Sequence, residues 1–190
     1  MPNAFGTHIT NPETQYPQAW ERASKVKLLV LDVDGVLTNG QVWIGADGKE
    51  SLKAFDIQDG LGIKLLEQCG IPTVIITGRN SKMVLARSEE LGIKHVHMGV
   101  ENKAIALEEV LKSLGLKASD CAVMGDDWPD LAMMKHAGLR IAPAQAHDAV
   151  KEFAHFVTIH TGGNSAVREA CDLILKAQNH YDDLLNKARQ

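Results

Sequence analysis

Two aspartates carry the clearest chemical signal in the sequence. Asp32 and Asp34 lie at the end of an apolar run, in the stretch LDVDGVLT (31–38), and Gly35 follows directly. Two like charges at the end of a buried strand are costly, because repulsion and desolvation both disfavour the ionised forms. A cation must therefore offset them, which makes this stretch a candidate catalytic site.

Further polar side chains follow three other apolar runs. Thr77 ends the next run, Lys103 opens a helical pattern, and Asp126, Asp127 and Asp130 follow a run that ends at residue 124. Carboxylates that converge with a hydroxyl and an ammonium can hold a hard divalent cation and a phosphate group. We therefore predict Mg²⁺ as cofactor. Asp127 has an alternative role as the cap of the helix that follows it.

The elements that must position these side chains alternate along the chain. Apolar runs predict strands at residues 26–33, 73–77, 95–98, 121–124, 139–142 and 156–158. Amphipathic patterns predict helices at residues 60–68, 81–91, 102–114, 128–136, 146–153 and 166–178. This alternation favours an α/β fold with a Rossmann-like, doubly wound, mainly parallel sheet. The carboxyl ends of such strands meet in one crevice, where active sites form.

In that crevice the residues suit phosphate-ester hydrolysis. With a metal bound, Asp32 can remain ionised and attack phosphorus to form an aspartyl-phosphate. Asp34 can protonate the leaving alkoxide and later take a proton from water. Thr77 and Lys103 would hold phosphate oxygens and neutralise charge in the transition state.

The segment between the first strand and the first long helix breaks the alternation. Residues 41–55 predict a β-hairpin around Asp47-Gly48, with an apolar face that includes Trp43 and Leu52. The hairpin could be a flap on its own domain, but we favour contact with another subunit, because a lone hairpin is marginally stable. We expect a loose lead-in over 1–20, one domain over 21–178 and a tail over 179–190.

Composition limits the classes of function. The 190 residues carry a net charge of −4, so no basic field indicates nucleic acid. No apolar run approaches the roughly 20 residues needed to span a bilayer, and the N-terminus does not resemble a secretory signal. Three cysteines without close spacing suggest a reducing compartment, so we expect a cytoplasmic protein without membrane partners.

Four ordered motifs resemble those of the haloacid dehalogenase superfamily. They are DVDGVLT, TGR, Lys103 and GDDWPD, and the similarity spans residues 28–130. The resemblance implies that Asp32 is the nucleophile and Asp34 the acid/base. It also implies metal binding by Asp32, the backbone carbonyl of Asp34, and Asp126, with Asp127 or Asp130 as auxiliary groups. The chain has no room for the cap domain of many relatives, so we predict a capless member.

Basic residues indicate the substrate class. Arg79 and Arg87 have planar guanidinium groups that suit a carboxylate, and Lys64 lies nearby in the preceding helix. A phosphorylated sugar acid would fit such a pocket, although both arginines could instead be solvated surface residues.

A narrower resemblance covers about residues 20–178. The hairpin, the pattern F-D-x-x-D-G-x-G-I, ITGR and GGNSAVREACDL resemble the 3-deoxy-D-manno-octulosonate 8-phosphate phosphatases. The resemblance implies an Mg²⁺-dependent homotetramer in lipopolysaccharide synthesis. Gln58 and Lys64 depart from the arginines expected there, and the C-terminal tail is longer and more acidic. The predicted substrate-binding residues are Asp56, Asp59, Gly60, Lys64, Gly78, Arg79, Arg87, Asp127 and Asp130.

Three alternatives remain open from the sequence. The active-site motifs do not distinguish a phosphatase for 2-keto-3-deoxy-nononate 9-phosphate, a nine-carbon relative of the same substrate. A phospho-accepting switch would use similar groups, although Asp34 could activate water in a way that such switches lack. An inactive binding subunit is the third possibility, and the intact motifs argue against it.

Overall fold

The computed structural model describes residues 12–190 and contains eight strands in that part of the chain. Six of them form one parallel sheet in the order β5-β4-β1-β6-β7-β8, and β2 and β3 form a separate antiparallel pair. The strands are β1 Leu28–Leu31, β2 Trp43–Ile44, β3 Glu50–Leu52, β4 Thr73–Ile76, β5 His95–His97, β6 Cys121–Met124, β7 Leu139–Ala142 and β8 Phe156–Val157.

Helices connect the strands and cover both faces of the sheet. They are α1 Pro12–Gln15, α2 Pro17–Ala23, α3 Ile57–Gln68, α4 Lys82–Leu91, α5 Lys103–Leu114, α6 Trp128–Met134, α7 Asp148–Phe153, α8 Ala166–Ala177 and α9 Tyr181–Ala188. The predicted α/β fold with a doubly wound sheet, a hairpin insertion and no cap domain is therefore confirmed for the described residues.

The alternation of side chains along β1 divides the core into two layers. Leu29 and Leu31 pack in the layer beneath α2, α3 and α8, whereas Leu28 and Val30 pack in the layer beneath α5, α6 and α7. All four are completely buried. A strand buried on both faces is apolar throughout, which explains the unbroken hydrophobic run before Asp32.

Several element boundaries differ from the predicted ones, among them those of β1, α3 and α6. Strand β1 is shorter than predicted because the chain leaves the sheet at Asp32. Helix α3 begins at Ile57 rather than at residue 60, because the Asp56 side chain accepts hydrogen bonds from the amides of the first turn. Helix α6 ends at Met134, two residues early.

The described part of the predicted N-terminal lead-in contains α1 and the first residues of α2. Pro17 opens α2, a position where its missing N–H costs nothing, and Ala19 is 1% exposed against the core. Residues 1–11 of the predicted lead-in lie outside the described residues.

The C-terminal tail forms a helix of its own. Helix α8 ends at Ala177, Asn179 adopts a left-handed conformation with φ 61°, and α9 then folds back toward α8. Lys176 lies 4.6 Å from the ring centroid of Tyr181, and Leu184 packs against the core. In residues 12–190, no helix is both long enough and apolar enough to cross a membrane.

Candidate active site

The loop after β1 places two aspartates at the carboxyl end of the sheet. Asp32 continues from the strand, donates its amide to the Met124 carbonyl at 3.1 Å, and is 6% exposed. The chain then turns, with Gly35 at φ +87°, a conformation that disfavours other residues. A Cβ at Gly35 would also lie 2.0 Å from Oδ2 of Asp126. Gly35 therefore lets the carboxylate of Asp126, which follows β6, approach the loop after β1.

Lys103 joins the two acidic groups. Its Nζ lies 2.7 Å from Oδ1 of Asp32 and 2.7 Å from Oδ1 of Asp130, and its side chain is 6% exposed. Burial alone would lower the pKa of the ammonium, but the two carboxylates outweigh it and raise that pKa. Lys103 therefore stays charged between the acids and can neutralise an incoming anion.

Asp32 and Asp126 are both harder to ionise than an aspartate in water, because nearby positive charge does not offset their burial and their acidic neighbours. Burial, followed by the charge of Asp130, raises the pKa of Asp32 to about 6, although Lys103 opposes the shift. Burial and then the charges of Asp130, Asp32 and Asp127 raise the pKa of Asp126 to about 7. The site therefore holds more negative charge than Lys103 offsets, and a divalent cation would relieve this excess.

Three of these carboxylates meet the geometric demands of a metal site. One oxygen from each of Asp32, Asp126 and Asp130 lies within 4.8 Å of the others. Asp130 is already occupied, because Oδ1 contacts Lys103 and Oδ2 accepts the amides of Asp126 and Asp127 at 2.9 and 3.3 Å. Asp32 and Asp126 are thus the better ligands, and this all-oxygen set fits Mg²⁺.

Helix α6 begins directly in the acidic loop. Asp127 is its N-cap, and the Asp127 Oδ1 accepts the amide of Trp128 at 2.8 Å. The Asp130 carboxylate reaches back to the amide of Asp127, which completes a capping box. The capping role considered for Asp127 is therefore present, and Asp127 also faces the cleft.

The end of β4 forms the opposite wall. The Thr77 amide donates to the His97 carbonyl at 2.9 Å, and its carbonyl accepts from the Val100 amide at 3.1 Å, so Thr77 is held by the end of β5 and the loop that follows it. The resulting cleft has a volume of about 320 Å³. It brings together nine of the predicted site residues: Asp32, Asp34, Thr77, Gly78, Arg79, Lys103, Asp126, Asp127 and Asp130.

The other five predicted residues do not line this cleft. Asp56 caps α3, and Lys64 is exposed on it. Arg87 donates to the Asp56 carbonyl at 3.0 Å and fills the space beside Gly60, where a Cβ would lie 2.3 Å from its Nη2. Asp59 is 1% exposed and accepts the amide of Arg168 in α8 at 2.8 Å. Asp59 and Gly60 are buried and have no surface to offer a substrate, and a role in substrate binding for these five residues stays a prediction.

The hairpin contributes two residues that the sequence reasoning missed. Lys53, just after β3, contacts Oδ1 of Asp34, and its Nζ lies 2.8 Å from Oε1 of Glu50. Arg79 approaches the same two carboxylates at 3.7 and 3.6 Å. The one sequence signal was a glutamate and a lysine that flank Ser51 and Leu52 in the second half of the hairpin.

The comparisons with known proteins agree with this geometry. Residues 99–170 match the family of haloacid dehalogenase-like hydrolases. The 3-deoxy-D-manno-octulosonate 8-phosphate phosphatase KdsC of Salmonella typhimurium is 42% identical over 167 residues, which is 88% of each chain. The corresponding enzyme of Escherichia coli K12 is 43% identical over 162 residues, covering 85% of this chain and 86% of that protein.

Solved structures give the same result. The Moraxella catarrhalis 3-deoxy-D-manno-octulosonate 8-phosphate phosphatase, in complex with magnesium, phosphate and KDO, superposes with a TM-score of 0.87. Its sequence is 44% identical, and the match covers 90% of this chain and 97% of that one. The chain belongs to the 3-deoxy-D-manno-octulosonate 8-phosphate phosphatase family of haloacid dehalogenase-like hydrolases, and it is a phosphoric monoester hydrolase.

Proposed function

We propose that this enzyme hydrolyses 3-deoxy-D-manno-octulosonate 8-phosphate to the free sugar acid and phosphate, with Mg²⁺ as cofactor. The observation that carries the proposal is the convergence of Asp32, Asp34, Thr77, Lys103 and Asp126 in one cleft. The relatives named for this substrate share 42–44% of the sequence over most of the chain.

In the first chemical step, a carboxylate oxygen of Asp32 attacks phosphorus. The ester P–O bond breaks, and its electron pair leaves with the sugar oxygen, which takes a proton from Asp34. Lys103 stays beside Asp32 and neutralises charge on the phosphoryl oxygens, while the Thr77 hydroxyl donates a hydrogen bond to them. The product of this step is an aspartyl-phosphate on Asp32.

In the second step, Asp34 acts in the opposite direction. It takes a proton from a water molecule, whose oxygen attacks phosphorus and breaks the bond to Asp32. Phosphate leaves, and both aspartates return to their starting forms. Asp32 and Asp126, together with the backbone carbonyl of Asp34, would hold Mg²⁺. The metal supplies positive charge that lets two anions approach each other.

Recognition of the sugar acid rests on Arg79 in the cleft. The Arg79 side chain is 48% exposed at the cleft mouth, where its planar group can meet a carboxylate. The partly or fully exposed Asp56, Lys64 and Arg87 would contribute only across a subunit boundary. The buried Asp59 and Gly60 would act only indirectly, through the residues that they contact.

The hairpin supports a homotetramer. Val42, Trp43, Ile44 and Leu52 are 39%, 53%, 60% and 46% exposed. Four large apolar side chains on one short hairpin are typical of an interface between subunits. An enzyme of this kind would act in the cytoplasm, in lipopolysaccharide synthesis.

Phosphate release from a substrate panel tests the proposal. The panel contains the eight-carbon and nine-carbon sugar-acid phosphates and neutral sugar phosphates, each with Mg²⁺ and with EDTA. We expect fast, metal-dependent release from the eight-carbon acid, lost in Asp32→Asn and retained in the exposed control Asp182→Asn. Preference for the nine-carbon acid phosphate would mean that this compound, and not the eight-carbon one, is the substrate. Equal turnover of the neutral sugar phosphates would contradict the role of Arg79.

A further inference from the structure

The hairpin inserts a buried ion-pair network against Asp34. The Lys53 side chain is 1% exposed, although the apolar residues beside it in sequence face outward. Its ammonium contacts Asp34 and Glu50, and Arg79 closes the network from the β4 loop. Lysine side chains are rarely buried unless paired, and here Asp34 and Glu50 supply the pairing.

The network fixes one oxygen of Asp34 and leaves the other less engaged. Lys53 contacts Oδ1. Oδ2 has Arg79 Nε at 3.7 Å, which is longer than a hydrogen bond. Since the Asp34 side chain is 22% exposed in the cleft, Oδ2 is the oxygen that can meet a leaving group or a water molecule.

We propose that Lys53 is a positioning residue that orients the Asp34 carboxyl group for proton transfer, with Glu50 holding Lys53 in place. The inference rests on the proposed function and assigns the hairpin a part in the chemistry. A proton donor works only when its reacting atom is within hydrogen-bond reach, so a freely rotating Asp34 transfers protons less often. A hairpin displaced from the cleft would remove both Lys53 and Glu50.

Substrates with different leaving groups distinguish a role of Lys53 in proton transfer from a structural role and from a role in substrate binding. An alcohol needs a proton as it departs, whereas nitrophenolate leaves readily without one. Because kcat/KM reports steps through formation of the aspartyl-phosphate, it isolates the stage at which Asp34 acts as acid. Three substrates are therefore compared: the sugar-acid phosphate, glycerol phosphate and para-nitrophenyl phosphate.

The variants are Lys53→Met, which removes the charge but keeps the length, and Lys53→Arg, which restores the charge. Lys49→Met serves as the matched control, because Lys49 is an exposed lysine on the same hairpin. We expect Lys53→Met to lower kcat/KM for both alkyl phosphates by about tenfold or more, and that for nitrophenyl phosphate by less than about threefold. Lys53→Arg recovers part of the loss, and Lys49→Met changes nothing.

Other outcomes overturn the inference. Equal loss on all three substrates means that Lys53 is only structural. Loss confined to the sugar acid means that Lys53 binds the substrate carboxylate, and no loss means that it is dispensable. If Lys53→Met fails to fold, Glu50→Gln must give the same leaving-group pattern in weaker form. Wild-type enzyme that hydrolyses glycerol phosphate but not the sugar acid contradicts the proposed substrate, while the other two substrates still test Lys53.

Discussion

The pH dependence of the free energy of unfolding can be predicted from Asp59. Its buried carboxyl group joins two helices that are distant in sequence. It lies in α3, and its Oδ1 accepts the Arg168 amide in the first turn of α8, 109 residues away. Its Oδ2 is buried and has no hydrogen-bond partner among the described residues. Burial raises the pKa of Asp59 from 3.8 to about 6, although the amides of Arg168 and Val167 oppose the shift.

The raised pKa means that the folded state binds the proton more tightly than the unfolded chain. Ionisation of Asp59 therefore lowers the free energy of unfolding. This cost is absent well below pH 3.8 and complete above about pH 6. A pKa difference of this size corresponds to about 3 kcal/mol, of which roughly 2 kcal/mol develops between pH 4 and 7.5.

The substitution Asp59→Asn keeps an oxygen acceptor for Arg168 but cannot ionise. Urea unfolding of both proteins at several pH values gives the difference in unfolding free energy, in which contributions from Asp32 and Asp126 cancel. We expect this difference to shift in favour of the asparagine variant by roughly 2 kcal/mol from pH 4 to 7.5. Asp182→Asn, an exposed control, should show no comparable shift. A flat difference for Asp59→Asn would mean that folding does not raise the pKa of Asp59, and a shift in the opposite direction would show that the charge stabilises α8.

Three further predictions concern the cleft and the hairpin. Asp32→Asn should lower kcat/KM by at least about 10³-fold without loss of the folded state, as measured by phosphate release and circular dichroism. Gly35→Ala should weaken Mg²⁺ binding, as measured by titration calorimetry, because the added Cβ would collide with Asp126. It should also destabilise the fold by about 1–3 kcal/mol, because Gly35 has a positive φ. Unchanged Mg²⁺ affinity would contradict the placement of Asp126 at the metal. Trp43→Asp should reduce the mass found by light scattering below that of a tetramer, and a wild-type monomer would remove the basis for this interface.

The sequence indicated which residues meet in the cleft, because the order of strands and helices along the chain determines where the strand ends lie. Apolar runs separated by helices imply parallel strands, and the residues after those strands must then share one edge. This rule needs no knowledge of side-chain packing. It was sufficient to place Asp32, Thr77, Lys103 and Asp126 in one crevice.

Roles that depend on long-range packing were not predictable in the same way. The contact of Asp59 with α8 requires the α3–α8 packing, and the pairing of Lys53 with Asp34 requires the position of the hairpin. Neither leaves a periodic pattern in the sequence. Pro17 lies in the lead-in that was expected to be loose, yet it starts α2, because proline is favourable at a helix start as well as in coil.

The stereochemical course at phosphorus shows whether Asp32 or water attacks the substrate. The measurement uses a thiophosphate analogue of the substrate whose transferred group is made chiral at phosphorus with sulfur, ¹⁶O and ¹⁸O, hydrolysed in H₂¹⁷O with Mg²⁺ present. Attack by Asp32 and then by water gives two in-line displacements, and each inverts the configuration. Net retention is therefore expected in the released thiophosphate. Net inversion would mean that water attacks the substrate directly, and Asp32 would not be the nucleophile.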